Sequence, residues 1–433
     1  MNDLLLLAIL FLGPLFLLYG LGVPVAIAML STSIVVMLVP GVGTGFDPGL
    51  INSRLFNGVN SFVLLAIPFY VLLGRLMNAT GMTRDIFDVA NAAVRQFRGG
   101  IAYVNVVASI LFSGMSGLAL ADAAGLGRVE YSAMRDYGYE RDISLGVTGS
   151  SALIGPIIPP SVPVILYAVL AEESIGQLFL GGILPGILLG LMLLAFVFLI
   201  VRKRGYDSGE PFSLRYLVRT LKSSVIALFI PVIIIGGLLG GWFTATEAGA
   251  VAVMYVIAYG FLSGQLNVGN LADEISDATV ETFSLTFIIA SATVYGLVAL
   301  QLGLPTLMAE EITALTENPT LILVLFVLMF LIIGTFMSVT ASITILTPIL
   351  IPIVELVGID PVHFGIVMIL ALMVGTLTPP FGALLFVLEK VTDASLEQVI
   401  RSVIPFYIPI LLALVILIFV PELVTYVPYT VMG

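Results

Sequence analysis

Gly149-Ser-Ser-Ala-Leu-Ile-Gly155-Pro-Ile-Ile-Pro159-Pro160-Ser161 sets three prolines within five residues of a glycine, in the middle of an apolar segment. A proline inside a helix removes a backbone hydrogen bond, and its ring clashes with the preceding turn. The run should therefore unwind the helix at mid-length. Carbonyls freed at one end can ligate a cation, and N–H groups at the other can hold an anion. Gly375-Thr-Leu-Thr-Pro379-Pro380 repeats the device 220 residues later, and Thr376 and Thr378 add hydroxyl oxygens. A single break reads as an ordinary proline kink. Two at matched positions read as a repeated architecture.

The flanking sequence is that of a membrane. The chain has 433 residues, 60% hydrophobic and 10% charged. Soluble domains run near 25% charged. Apolar runs long enough for ~30 Å of hydrocarbon recur throughout. We read spans at 3–20, 22–40, 58–80, 144–169 and 175–201. A polar linker follows from Arg202 to Lys222. Further spans lie at 224–241, 245–263, 278–302, 361–388 and 403–428. The first segment has no basic leader or small-residue cleavage site, so it reads as a retained span.

Residues 99–134 and 318–356 are apolar but interrupted by small and hydroxyl residues. A re-entrant hairpin fits each, because non-helical backbone at membrane depth survives only inside protein or beside a wet cavity. The first tip reads Phe112-Ser-Gly-Met-Ser-Gly-Leu-Ala-Leu-Ala-Asp122, the second Gly334-Thr-Phe-Met-Ser-Val-Thr-Ala-Ser-Ile-Thr344. The fold expected is all-α: an inverted-repeat membrane protein with about ten spans, two hairpins and two broken helices. Small-residue helix packing is the plainer reading of either tip alone.

Charge orients the chain. Arg202, Lys203, Arg204, Arg215, Arg219 and Lys222 place the linker in the cytoplasm. Counting spans from there puts Arg84, Arg95, Arg98, Arg128, Arg135, Arg141, Lys390 and Arg401 inside and both termini outside. Arg54 is the exception. Five spans per half give the halves opposite orientation.

Several functions are excluded. With no cysteine and one histidine, thiolate metal sites, disulfides, haem and most zinc chemistry are absent. His363 reads as a loop histidine. A net charge of −11 with three lysines argues against nucleic acid. No Gly-x-x-x-x-Gly-Lys-Ser/Thr run is present, so transport would not draw on a P-loop. An intramembrane enzyme would need convergent acids, His or Cys at depth; channels rarely use inverted broken helices. Asp122 reads either as a functional intramembrane acid or as a cap or partner of Arg128. Glu247 reads as part of an N-cap with Thr244 or Thr246. Arg84, Arg95 and Arg98 lie on an amphipathic, interfacial arm.

At these tips and breaks the chain resembles the large membrane subunit of tripartite ATP-independent periplasmic (TRAP) transporters. The motifs are Ser-Gly-x-Ser-Gly at 113–117, Ile-Pro-Pro-Ser at 158–161, Leu-Thr-Pro-Ile at 346–349 and Thr-Pro-Pro-Phe-Gly at 378–382. The likeness runs from Pro14 to the last span. Leu118 and Leu120 depart from it, being bulkier than the small residues usual there. The resemblance implies a sodium-driven elevator transporter of organic acids such as C4-dicarboxylates, sialic acid or keto acids. It implies two partners, a separate four-span membrane subunit and a soluble extracytoplasmic solute-binding protein, and a site in the inner membrane.

It places one sodium site at Ser113, Ser116, Gly334, Gly375 and Thr378. A symmetry-related site falls at Gly149, Gly155, Pro159, Thr335, Thr340 and Thr344. The solute is expected near Ser150, Ser161, Ser338 and Thr376, and no cofactor besides Na⁺ is implied. The transport domains would be 99–201 and 318–433, the latter including the last span, with 99–201 and 318–401 the moving parts, the scaffold 1–98 and 223–317, and 202–222 the linker. A standalone sodium–carboxylate symporter is the alternative.

Overall fold

The computed structural model describes residues 2–39, 47–117, 119–206 and 211–432, apart from the side chains of 2–8, 114–116 and 121. Among these residues it is helical, with no strand. Asn2–Gly20 and Val25–Leu38 open the chain. Pro48–Val59 and Ala66–Ala79 follow, then an arm helix, Met82–Val94. Among the described residues seven helices are long and apolar enough to cross a bilayer, or eight with the bent pair Leu214–Ser223 and Val225–Leu239 counted as one.

The expected spans at 144–169 and 361–388 each come in two pieces. Arg141–Ser151 runs into a 3₁₀ turn, Ala152–Ile154, stops at the prolines and restarts as Val162–Leu170. Pro361–Thr376 stops and restarts as Ala383–Thr392. Pro159–Pro160 and Pro379–Pro380 are both cis. The final expected span, 403–428, starts earlier, at Leu396, and ends at Phe419; a separate helix, Glu422–Val431, follows Pro421. Pro421 has no N–H to continue the helix.

The repeats match at an offset near 220. Hairpin 1 is Gly100–Ser116 followed by Ala119–Ala124 and Leu126–Asp136. Hairpin 2 is Pro319–Phe336 and Val339–Leu356. By length and composition alone each arm of hairpin 2 could cross the membrane. Its tip, however, is packed inside the protein on the second break. The arm Met82–Val94 answers to Leu304–Leu315. The halves also differ. Pro48–Val59 and Ala66–Ala79 are separate helices, whereas their counterpart is one helix of 34 residues, Val268–Gln301. Asn60 caps the first piece in a non-helical conformation, while Asn267 caps the start of the long one through Asn270 N–H.

Break 1 lies on Ile175–Arg204, which carries a stripe of glycines. A Cβ on Gly182 would meet Ile157 O at 2.1 Å, and one on Gly186 would meet Ile158 at 2.2 Å. Small residues at this spacing let backbones approach closely. Thirty residues make that helix about 45 Å long, longer than the hydrocarbon. Its basic end therefore projects, and Arg204 pairs with Glu140 and with Asp142, the latter at 2.6 Å.

The two broken helices are tied directly. Tyr167, fully buried, donates its hydroxyl to Pro361 O at 2.6 Å, and its ring lies on Gly365. Tyr167→Phe removes this inter-repeat hydrogen bond at a cost of about 0.5–1.5 kcal/mol, Pro361 O keeping its place in the helix ladder. A lowered thermal midpoint of the purified chain is the expected result.

His363 is not in a loop. Asp360 accepts from His363 N–H at 2.8 Å and starts a helix at Pro361, so His363 sits in the first turn. It is 4% exposed, with Nε2 2.7 Å from Leu417 O, a structural contact. Glu247 forms the expected cap: its carboxylate accepts from Thr244 N–H at 2.8 Å, and its N–H donates to Thr244 Oγ1.

Candidate functional site: two tips, two breaks and one cavity

Each hairpin tip sits on the break of its own repeat. Gly117 ends the first arm of hairpin 1 with φ of 62°, a left-handed conformation that favours glycine. A Cβ there would lie 2.3 Å from Pro160 O and 2.7 Å from Ser161 Cα. Asp122, also in hairpin 1, is 7% exposed, and its Oδ2 lies 2.1 Å from where a Cβ on Gly155 would be. In repeat 2 the contact is backbone on backbone: a Cβ on Gly375 would fall 2.5 Å from Gly334 Cα.

The expected residues divide accordingly. Gly334, Gly375 and Thr378 meet in the second tip–break pair, where Thr378 N–H donates to Gly375 O at 2.8 Å. Ser113 belongs to the first pair, buried and donating to Ile110 O at 2.7 Å. The side chain of Ser116 and all of Leu118 lie outside the described residues. Gly155 and Pro159 are in break 1. Gly149 faces Leu388, Val403 and Leu377 of the other repeat, a packing contact. Thr335, Thr340 and Thr344 are in hairpin 2. Thr335 and Thr344 donate to their own helix backbone, and Thr340 lies 3.2 Å from Ser338 Oγ.

Between the pairs is a cavity of about 320 Å³. Hairpin 1 contributes Ala119 and Leu120, hairpin 2 Ser338, Val339 and Thr340, and the breaks Pro156, Pro163, Thr376 and Ala383. Three helices of useful length start here: Val162–Leu170, Val339–Leu356 and Ala383–Thr392. Each helix N-terminus carries about half a positive charge; Ser161 caps Val164 N–H and Ser338 caps Ala341 N–H, leaving the other first-turn N–H groups without an intrahelical partner. No basic side chain is among the described lining residues, so what the cavity offers an anion is backbone N–H and hydroxyl groups.

Of the four residues expected near solute, Ser338 and Thr376 line the cavity. Ser161 does not. It caps the second half of broken helix 1, accepting from Val164 N–H and donating to Pro156 O at 2.5 Å. Ser150 donates back to Gly146 O at 2.7 Å.

One lining residue was not anticipated. Glu281, from Val268–Gln301, reaches the same cavity beside Leu285. The signal was present: an acid inside the expected span 278–302, where an ionisable group defaults to function. Behind tip 1, Asn105 links Thr148 and Ser151 at 2.7 and 2.8 Å, and Ser109 donates to buried Glu130. This network joins hairpin 1 to broken helix 1.

Fold and site together define a two-repeat membrane transporter. The chain belongs to the TRAP family: its residues 12–423 match the profile described as the "Tripartite ATP-independent periplasmic transporter, DctM component". It is 37% identical over 413 residues to the sialic acid TRAP transporter large permease SiaM of Vibrio cholerae, covering 95% of this chain and 96% of that protein. It is 35% identical over 380 residues to the C4-dicarboxylate TRAP transporter large permease DctM of Pseudomonas aeruginosa, covering 87% and 89%. The crystal structure of the YdaH transporter of Alcanivorax borkumensis superposes with a TM-score of 0.68 at 15% identity, over 94% of this chain and 98% of that one. The protein is thus a multi-pass secondary transporter of the bacterial inner membrane that depends on a solute-binding protein and a small membrane subunit. Family membership sets aside the standalone symporter.

Proposed function

We propose that this chain takes up an organic carboxylate by sodium symport. The solute is delivered by an extracytoplasmic binding protein, and a separate four-span subunit completes the membrane complex. The observation that carries the reading is the convergence of three helix N-termini on one cavity without a basic side chain. Backbone N–H groups at helix starts suit a carboxylate. Ser338 and Thr340, which share one hydrogen bond, leave one hydroxyl proton free to donate, while Thr376 donates to Met373 O. The relatives' names point to sialic acid and to C4-dicarboxylates, both carboxylates.

Sodium is the cation that fits the donors at the tip–break pairs. At the second pair the groups are main-chain carbonyls and hydroxyls, neutral oxygens that bind a hard cation without titrating, and the first pair adds the Asp122 carboxylate against Gly155. In break 2 the carbonyls of Thr376 and Thr378 lie 2.5 and 2.7 Å from a Cβ position on Gly382, so they converge. We assign one sodium to each pair: Ser113, Ser116, Gly155 and Pro159 on one side, Gly334, Gly375 and Thr378 on the other. Sodium orders a tip against its break, and the ordered tips complete the solute cavity, which couples the two ligands. Both hairpins and broken helices then move together past Val268–Gln301 as an elevator.

The test is uptake of a labelled carboxylate panel into proteoliposomes holding this chain and its small subunit, with binding protein and an inward Na⁺ gradient. Uptake requiring both is expected; uptake indifferent to Na⁺ sinks the assignment. Glu281 adds a finer expectation. A carboxylate facing the anion site disfavours retention of solute. Glu281→Gln should lower KM roughly fivefold, the scale of ~1 kcal/mol for one charge pair through water, and slow maximal uptake. An unchanged KM would show that Glu281 does not sense the solute.

A further inference from the structure

A second cavity lies away from the tips, at the linker end of the molecule. Its volume is about 760 Å³. One wall is Leu194, Phe198 and Val201 of Ile175–Arg204, at i, i+4 and i+7, followed directly by Arg202. The other is Tyr103 and Val107 of hairpin 1, with Arg98 at its foot. Gly99 is pressed onto Val201, a Cβ there falling 2.4 Å from Val201 Cγ1. That contact brings Arg98 and Arg202, each next in sequence to a contacting residue, to the same end of the crevice.

From Arg202 the apolar wall runs eight residues to Leu194, about 12 Å at helical rise, most of the ~15 Å that one leaflet offers. Both arginines are exposed, and no described ion pair engages either of them. Among the described residues no acid lines the crevice. The neighbouring cavity on the other side of the same helix is different: there Arg204 is neutralised by Glu140 and Asp142, and Asp142 lines the wall.

We propose that this crevice is a binding site for an anionic phospholipid of the cytoplasmic leaflet. Arg98 and Arg202 hold the headgroup phosphate, and an acyl chain lies on Tyr103, Val107, Leu194 and Phe198. Basic pockets between helices at the cytoplasmic face select anionic headgroups, and an apolar wall next to two arginines matches a lipid, tail on the wall and phosphate on the cations. The lipid joins the end of the arm, hairpin 1 and Ile175–Arg204, so it bridges the joint on which hairpin 1 is mounted.

Native mass spectrometry of the purified full chain, offered phosphatidylglycerol and phosphatidylcholine in equal amounts, tests this. Retained phosphatidylglycerol is expected to dominate. Arg98→Gln with Arg202→Gln should cut that preference roughly thirtyfold, about a factor of five for each arginine. Arg215→Gln, outside the crevice, should leave it unchanged. Independently, a tryptophan introduced by Phe198→Trp in a Trp242→Phe background should be quenched more by brominated phosphatidylglycerol than by brominated phosphatidylcholine. A preference that survives the double substitution, equal quenching by both lipids, or displacement by inorganic phosphate alone would overturn the proposal.

Discussion

Gly375→Ala is expected to abolish sodium-dependent uptake while leaving the chain in the membrane. The added methyl falls 2.5 Å from Gly334 Cα and 3.0 Å from Leu331 O, both backbone atoms that no rotamer change can move aside. Overpacking of this kind costs about 1–3 kcal/mol. Its larger effect is geometric. Tip 2 must withdraw from break 2 by the order of an ångström, and a 1 Å misplacement of positioning groups is worth roughly 100-fold in rate. Uptake should fall by about that factor, and half-saturating Na⁺ should rise steeply. Gly334→Ala should behave alike, because its Cβ meets Leu372 O at 2.5 Å from the other side of the same contact. Wild-type sodium dependence in either variant would show that the pair does not form the ion site.

Gly117→Ala tests the first pair, with two penalties combined. The position has φ of 62°, costing about 1–2 kcal/mol for a residue with a Cβ. That Cβ would also lie 2.3 Å from Pro160 O. The expected result is loss of uptake as severe as for Gly375→Ala. The two variants should nonetheless differ in solution. Each leaves the other tip–break pair intact, so isothermal titration of the purified chain should show one class of Na⁺ site lost in each and the other retained. Loss of all Na⁺ binding in both would mean a single shared site, the grouping that mixes Ser113 and Ser116 with Gly334.

That grouping shows where sequence stops. Pro156, Pro159 and Pro160 announce a break because proline's effect on a helix is local and needs no tertiary context. Thr244 and Glu247 announce a cap for the same reason. Which tip lies on which break is decided by tertiary packing between Gly117 and Pro160 and between Gly334 and Gly375, and no local pattern records it. Gly149 shows the limit from another side: its small size makes room for Leu388 of the other repeat, a contact that no local pattern records.

Other signals were legible and passed over. Asp360-Pro361 is a helix start, and it moves His363 from a loop into a buried first turn. Asn267 is likewise a cap, and it extends the expected span at 278–302 back to Val268 as one helix. The extension carries Glu274 and Asp277, which pair with Arg75 and tie two helices together. Glu281, one turn beyond Asp277, then faces the cavity.

The central claim is that the solute occupies the cavity between the two tip–break pairs. Because the chain lacks cysteine, a single introduced thiol reports on one place. The measurement is the rate at which a thiol reagent labels Ser338→Cys and Thr376→Cys in proteoliposomes, with and without Na⁺ and a transported carboxylate. The account predicts that solute protects both positions and that protection requires Na⁺. A transport-competent Ser338→Cys variant whose labelling is indifferent to saturating solute would contradict it.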